Sequence, residues 1–254
     1  MKIGFPNHPR KDLLKEIEWI GKNGFDFVDL FLEEDRATPE RIDIGKLKQV
    51  LRKYGLETVG HTAWYLPIGS PMKALRKAAV QELKRYFPVF NSIGTEYVTI
   101  HANWPGMIFS DREGVKFQAE TLKELVELAG GFGLKLLYEP IDSVRDSLEN
   151  VSMILKRVPG LYFHLDIGHA NLYGRKPEEF IRRFRSKLKH VHLHDNHGNF
   201  DAHLPMGCGS IEWEKVLKVL KKYYNGTITL EVFSREKKYV LLTRKKLKEL
   251  WKKL

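Results

Sequence analysis

Cysteine is nearly absent from this chain of 254 residues, which has only Cys208. An intrachain disulfide and any cysteine-rich zinc site are thereby excluded, so a bound metal would have to be held by His, Asp and Glu. Apolar runs are short, and none approaches the ~20 residues that a membrane-spanning helix needs. The first residues, MKIGFPNHPRKD, have neither the basic start nor the apolar segment of a signal peptide. The expectation is a cytoplasmic protein with no membrane partner. A glycine-rich dinucleotide fingerprint is missing after the first predicted strand, and no phosphate loop occurs anywhere.

Acidic residues are outnumbered, 32 Asp and Glu against 43 Lys and Arg, leaving a net charge of +11. Such an excess can mark a polyanionic partner such as a nucleic acid. Much of it, however, lies in helical stretches such as KKLKELWKKL at the C-terminus and RRFRSKLK at 182–189. There a charge run is usually a solvated face, and that reading is preferred. Lys/Glu-rich surfaces are also common in heat-adapted proteins, so a thermophilic origin is expected.

The chain is rich in one repeated unit: an amphipathic stretch, a glycine or short turn, then a short apolar strand that ends in a polar residue. Strands are expected at 2–5, 25–31, 56–61, 96–101, 134–139, 161–166, 189–194 and 227–233. Apolar runs of this length are typical of parallel strands buried on both faces. Helices are expected at 10–22, 39–53, 72–92, 112–130, 147–157, 177–187, 212–224 and 237–253, several of them ending at glycine. Eight strand–helix pairs make an α/β protein, a (β/α)8 barrel spanning 1–254 as a single domain, with an open doubly wound sheet as runner-up.

His61, His101, Glu139, Asp166 and Glu231 fall at or near the C-terminal ends of these strands. A further end is the stretch HVHLHDNHGNFDAH at 190–203, which carries five of the ten histidines, two aspartates and no Lys or Arg. In a barrel those ends converge on the face where active sites are built. Carboxylates and imidazoles crowded there are costly to bury unless a cation or mutual hydrogen bonds compensate them, so a metal site is expected. In HVHLH, residues 190, 192 and 194 share one side of the strand, which places the imidazoles toward the barrel axis and Val191 and Leu193 toward the helices. Asp166 and His169 are close enough in sequence to reach one site. Trp64, Trp104 and Phe5 lie just beyond strands and could wall a ligand pocket, and Glu33 could contact a substrate bound there. Cys208, inside MGCGS, has no assignable base and is not expected to be a nucleophile.

Taken in order, GH at 60–61, TIHANW at 99–104, LYEP at 137–140, HLDIGHAN at 164–171, HVHLHDNHG at 190–198, DAHLPMGCGSIEW at 201–213 and LEVF at 230–233 resemble the xylose isomerase-like barrel superfamily. The resemblance covers nearly the whole chain and is closest to the sugar phosphate isomerase/epimerase branch. It implies one divalent ion (Mn, Mg, Co or Zn) held by Glu139, Asp166, His192 and Glu231, a hard ligand set. It also implies that His169 touches substrate and that Glu139 and Glu231 carry the proton chemistry. The activity implied is epimerisation or isomerisation of a sugar or sugar phosphate through a metal-stabilised enediolate.

The related endonuclease IV branch, which cuts DNA at abasic sites, uses nine ligands for up to three zinc ions. Residues of matching type stand at His61, His101, Glu139, Asp166, His169, His192, Asp201, His203 and Glu231. This branch differs from the chain where the chain has DIGH, HDN and DAH, so it is kept as the alternative, with DNA as its partner. A non-catalytic binding protein on the same barrel is a third alternative, weighed against by the intact pair of glutamates. Oligomeric state is left open by the sequence.

Overall fold

The computed structural model describes residues 1–33 and 36–254. Eight parallel strands close into a barrel in simple order, β1 (Lys2–Pro6), β2 (Phe27–Leu32), β3 (Glu57–Thr62), β4 (Tyr97–His101), β5 (Lys135–Glu139), β6 (Tyr162–Asp166), β7 (Leu188–Leu193) and β8 (Thr227–Leu230). The strands alternate with α1 (Leu13–Lys22), α2 (Ile44–Tyr54), α3 (Lys73–Ser92), α4 (Asp111–Gly130), α5 (Leu148–Arg157), α6 (Pro177–Phe184), α7 (Trp213–Tyr223) and α8 (Lys238–Lys253). The (β/α)8 architecture expected from the repeat is therefore the fold.

Differences from the expected boundaries have local causes. The first helix starts at Leu13 rather than 10 because the Asp12 carboxylate caps it, accepting the Lys15 N–H at 3.0 Å. The second stretch divides into a 3-10 turn at Pro39–Arg41 and α2, whose cap is Asp43, accepting from Lys46 N–H at 3.0 Å. The last strand ends at Leu230, which leaves Glu231 as the first residue of the following loop, still tied to β7 through its N–H to Leu193 O at 3.1 Å.

Two-residue periodicity divides each strand between two environments. Val28 and Leu30, Val98 and Ile100, Phe163 and Leu165, Val191 and Leu193, and Ile228 and Leu230 are buried in the apolar core. Burying each such side chain contributes ~1.5–3 kcal/mol. The alternate positions face the axis. Phe27 fills its lower end, where only a glycine fits opposite: a Cβ on Gly4 would lie 2.3 Å from the Phe27 ring. Above Phe27 the interior is polar, with Asp29, Thr99, His164, His190, His192 and Thr229 all fully buried. The layers of branched aliphatic residues usual inside such barrels are thus replaced by titratable groups. Strand register then sets neighbours at the upper end, with His101 beside Glu139 and Asp166 beside His192.

The long loop after β7 is organised on one buried carboxylate. Asp195 accepts the N–H groups of Asn196 at 2.9 Å, Gly207 at 2.7 Å and Ile211 at 3.3 Å, and the indole N–H of Trp213 at 2.8 Å. These donors balance its burial, and they explain the GCGSIEW run, which folds back over Asp195. Replacing it would orphan the buried donors of Ile211 and Trp213. We expect Asp195→Ala to lower unfolding free energy by about 2–4 kcal/mol, measured by urea denaturation, and Asp195→Asn to lower it by less.

Candidate metal centre

Among the described residues, strand ends and loops gather eleven titratable side chains at the mouth of the barrel, and Glu139 lies at their centre. Its Oε2 is 3.2 Å from His61 Nε2, 3.1 Å from His101 Nε2 and 3.3 Å from His164 Nδ1. Its Oε1 is 3.5 Å from His192 Nδ1 and 3.9 Å from His169 Nδ1. His192 Nδ1 is in turn 3.1 Å from Glu231 Oε2 and 3.7 Å from Asp166 Oδ2. The four residues expected to hold one ion, Glu139, Asp166, His192 and Glu231, therefore converge around a single ring nitrogen. Ligand atoms of Glu139, Asp166 and His192 all lie within 4.8 Å of one another.

A cation fits this arrangement on structural grounds. Asp166 Oδ2 is buried without a hydrogen-bond partner, although Oδ1 of the same carboxylate accepts the His169 N–H at 2.9 Å. An oxygen without a hydrogen-bond partner, set among two more carboxylates and an imidazole, is suited to act as a ligand atom for a cation. Three carboxylates and one imidazole suit a hard or borderline divalent ion.

Two further groups flank the first. His61, His101 and Glu139 form one, with Nδ1 of both histidines unpartnered. His169, His194, Asp201 and His203 form the other. Asp201 Oδ2 is 2.7 Å from His203 Nε2 and 3.2 Å from His169 Nε2, and Asp201 Oδ1 is 3.4 Å from His194 Nε2. His203 is held with φ 45°, a left-handed backbone rare for histidine, and its ring stacks between His194 at 4.0 Å and Phe233 at 4.2 Å. Gly168 is required here as well, since a Cβ would lie 1.9 Å from the His194 ring.

Electrostatics within the cluster is reciprocal. Burial pushes the Glu139 carboxyl up, but the surrounding imidazoles of His164, His192 and His101 outweigh it and hold it well below the usual range. Burial likewise opposes ionisation of Asp166, which His169 and His194 hold well below normal. Burial lowers His192 and His169, yet Glu231, Glu139 and Asp29 raise the first, and Asp166 and Asp201 the second, well above an ordinary histidine. Without a metal, imidazolium ions supply the positive charge. Burial lowers His164 well below an ordinary histidine, and it lowers His101 as well.

The cluster opens into a cavity of about 950 Å³, lined by Glu139, His61, His101, His169, Asp201, His203 and Glu231 at its base, with Glu33, Phe5, Phe31 and Trp64 on its walls. Trp64 is 61% exposed there, available to a ligand. One wall is basic, with Arg10, Lys11 and Arg235 from the loops after β1 and β8. Trp104 is not part of the lining; its indole N–H donates to Asp146 at 2.8 Å, and its ring packs over Gly114. A depression of about 1110 Å³ at the opposite, N-terminal end of the barrel contains no comparable group of ligands among the described residues.

Sequence reasoning placed most of these residues, but passed over Asp29 and His164 and gave His194 no role. The signal lay in strand parity: His164 is two residues before Asp166, and Asp29 two before Phe31, whose ring stacks on His61 at 3.8 Å.

Residues 17–253 match the model of the xylose isomerase-like TIM barrel family, and the chain belongs to that family. It is 29% identical over 234 residues to the uncharacterized protein MJ1311 of Methanocaldococcus jannaschii, covering 87% of this chain and 79% of that one. It is 21% identical over 225 residues to fructoselysine 3-epimerase of Escherichia coli O157:H7, covering 82% and 81%. Among solved structures, a D-tagatose 3-epimerase-like protein superposes with a TM-score of 0.89 at 27% identity, covering 99% of this chain and 97% of that one. The IOLI protein, solved with a bound zinc atom, superposes with a TM-score of 0.81 at 18% identity, covering 100% and 96%. The relatives and structural neighbours of this chain thus include sugar 3-epimerases, and one of the structural neighbours was solved with bound zinc.

The Asp201–His203 pair carries a pH signature in metal-free protein. Burial lowers His203, but Glu231 and Asp201 outweigh it and raise it to about 9, while the imidazoles of His169 and His203 hold Asp201 well below its ordinary value. A raised histidine contributes stability that is complete below its ordinary value of 6.5 and is lost as pH rises through about 9. Asp201 contributes above its ordinary 3.8 and loses its contribution as pH falls toward its folded value. Urea unfolding of chelator-treated protein should therefore show stability declining between pH 6.5 and 9, with a shallower decline in His203→Ala.

Proposed function

We propose that the chain is a divalent-metal-dependent epimerase or isomerase of a sugar or sugar phosphate. The observation that carries this reading is the approach of two carboxylates, Glu139 from β5 and Glu231 from the end of β8, to the same nitrogen of His192, at 3.5 and 3.1 Å. When bound by Glu139, Asp166, His192 and Glu231, a divalent ion would polarise a substrate carbonyl and its neighbouring hydroxyl, acidifying the C–H beside the carbonyl.

The protein's own groups do the rest. Glu231 directs Oε2 toward the rings of His192 and His203, leaving Oε1 to take a proton from carbon. Glu139, anchored through Oε2 by His61, takes up a proton from solvent and delivers it to carbon from across the mouth, while Glu231 releases the proton it removed to solvent. Carboxylates on separate strands can act on opposite faces of a sugar, which inversion at one carbon requires. His169 donates to Pro140 O at 3.0 Å and to Asp201, which fixes its ring at the cavity edge where it can contact a substrate oxygen. Trp64 offers an apolar face to sugar C–H groups, Glu33 accepts from hydroxyls, and Arg10, Lys11 and Arg235 suit a phosphate on the distal end of the substrate. The 3-epimerases among its relatives support a ketose substrate.

The test pairs chemistry with metal content. Ketoses and ketose phosphates incubated in D2O should gain deuterium at the epimerised carbon, and Glu139→Gln or Glu231→Gln should each lower turnover by roughly 100-fold or more. Elemental analysis should find one divalent ion per chain, lost in Glu139→Gln and kept in His203→Ala. Unchanged turnover in both glutamate variants would refute the proposal.

The flanking groups of histidine and carboxylate favour a second reading, zinc-dependent cleavage of abasic DNA. It predicts two or three zinc ions per chain, one of them removed by His203→Ala, and strand scission of an abasic duplex.

A further inference from the structure

We propose that Asp29 is a positioning residue for the metal centre, holding His192 in the one tautomer and orientation that present Nδ1 to the ion; this rests on the metal-dependent reading above. Asp29 lies on β2, on the far side of His192 from the carboxylate cluster, and is fully buried. Its Oδ2 is 2.6 Å from His192 Nε2. The opposite ring nitrogen, Nδ1, is the atom around which Glu139, Asp166 and Glu231 gather. An imidazole can ligate through Nδ1 while neutral only if its proton sits on Nε2. A carboxylate accepting from Nε2 enforces that tautomer and makes Nδ1 a stronger donor.

The surroundings leave Asp29 little other use. Its Oδ1 is buried without a partner, and its remaining contact is His190 Nε2, at 3.4 Å from Oδ2. His190 is itself held by Thr227 Oγ1 at 2.7 Å and Thr229 Oγ1 at 3.1 Å. Among the described residues no lysine or arginine pairs with Asp29. A structural carboxylate would be better replaced by an apolar side chain, because burying it with an unsatisfied oxygen is unfavourable. Its negative charge is useful where a cation must be drawn into the barrel.

The experiment measures Co2+ and Mn2+ binding to chelator-treated protein by calorimetry, together with the visible spectrum of the Co2+ form. Parent, Asp29→Asn, Asp29→Ala and Glu139→Gln are compared. Asp29→Asn keeps an acceptor for Nε2–H but loses the charge, whereas Asp29→Ala loses both. We expect affinity to fall by about 10-fold or more in Asp29→Asn and by up to about 100-fold in Asp29→Ala, with an altered Co2+ spectrum in the alanine variant. In the Zn2+-loaded parent, nitrogen NMR should show the His192 proton on Nε2, and faster exchange of that proton in Asp29→Asn. Should both Asp29 variants bind metal as the parent does, with only their unfolding midpoints changed, Asp29 is structural and the inference is overturned while the metal-dependent reading stands. Parent protein that binds neither ion, or binds both equally well after Glu139→Gln, overturns the two together. If Asp29→Ala fails to fold, Asp29→Asn alone decides.

Discussion

Burial of negative charge inside the barrel is the constraint on which the rest depends. Asp29, Glu139, Asp166 and Glu231 are all buried, and among the described residues their charged partners are imidazoles alone. Such a set cannot be held ionised at low dielectric without positive charge nearby. Histidine meets that need as imidazolium, and it is also the side chain that could serve as a neutral ligand to a bound cation. The abundance of histidine at this end of the barrel accompanies the buried carboxylates it faces.

This constraint also accounts for the departure from an aliphatic barrel interior. Thr99, which bonds His164 at 3.0 Å, and Thr227 and Thr229, which bond His190, satisfy ring nitrogens below the cluster that would otherwise be orphaned. Stability is left to the outer layer, where strand residues facing the helices form the apolar core. The two halves of each strand's alternating pattern therefore serve separate ends. A change facing outward alters packing, and one facing inward alters the charge balance.

Loops contribute what strands cannot. Asp201 and His203 reach the cluster from the segment after β7, which depends on the four N–H groups gathered by Asp195. The left-handed backbone at His203 and the missing side chain of Gly168 let two imidazoles stack at 4.0 Å. Precision at the mouth is thus supported by hydrogen bonding in the loop rather than by the barrel walls.

Strand number, the single domain and the convergence of His61, His101, Glu139, Asp166 and Glu231 on one face were legible in the sequence, because a two-residue period and the turn signals that end each strand are local properties of the chain. Alternation in HVHLH likewise indicated which way three histidines point. What the sequence did not determine was distance. Asp29 precedes His192 by 163 residues, and only closure of the barrel brings β2 within hydrogen-bond reach of a ring on β7. The place of Trp104 just after a strand suits a wall of the cavity, yet its indole turns to Asp146 because that buried carboxylate needs a donor. Local pattern fixes the face on which a residue lies, whereas its partners across the barrel depend on register and closure, which belong to the whole chain.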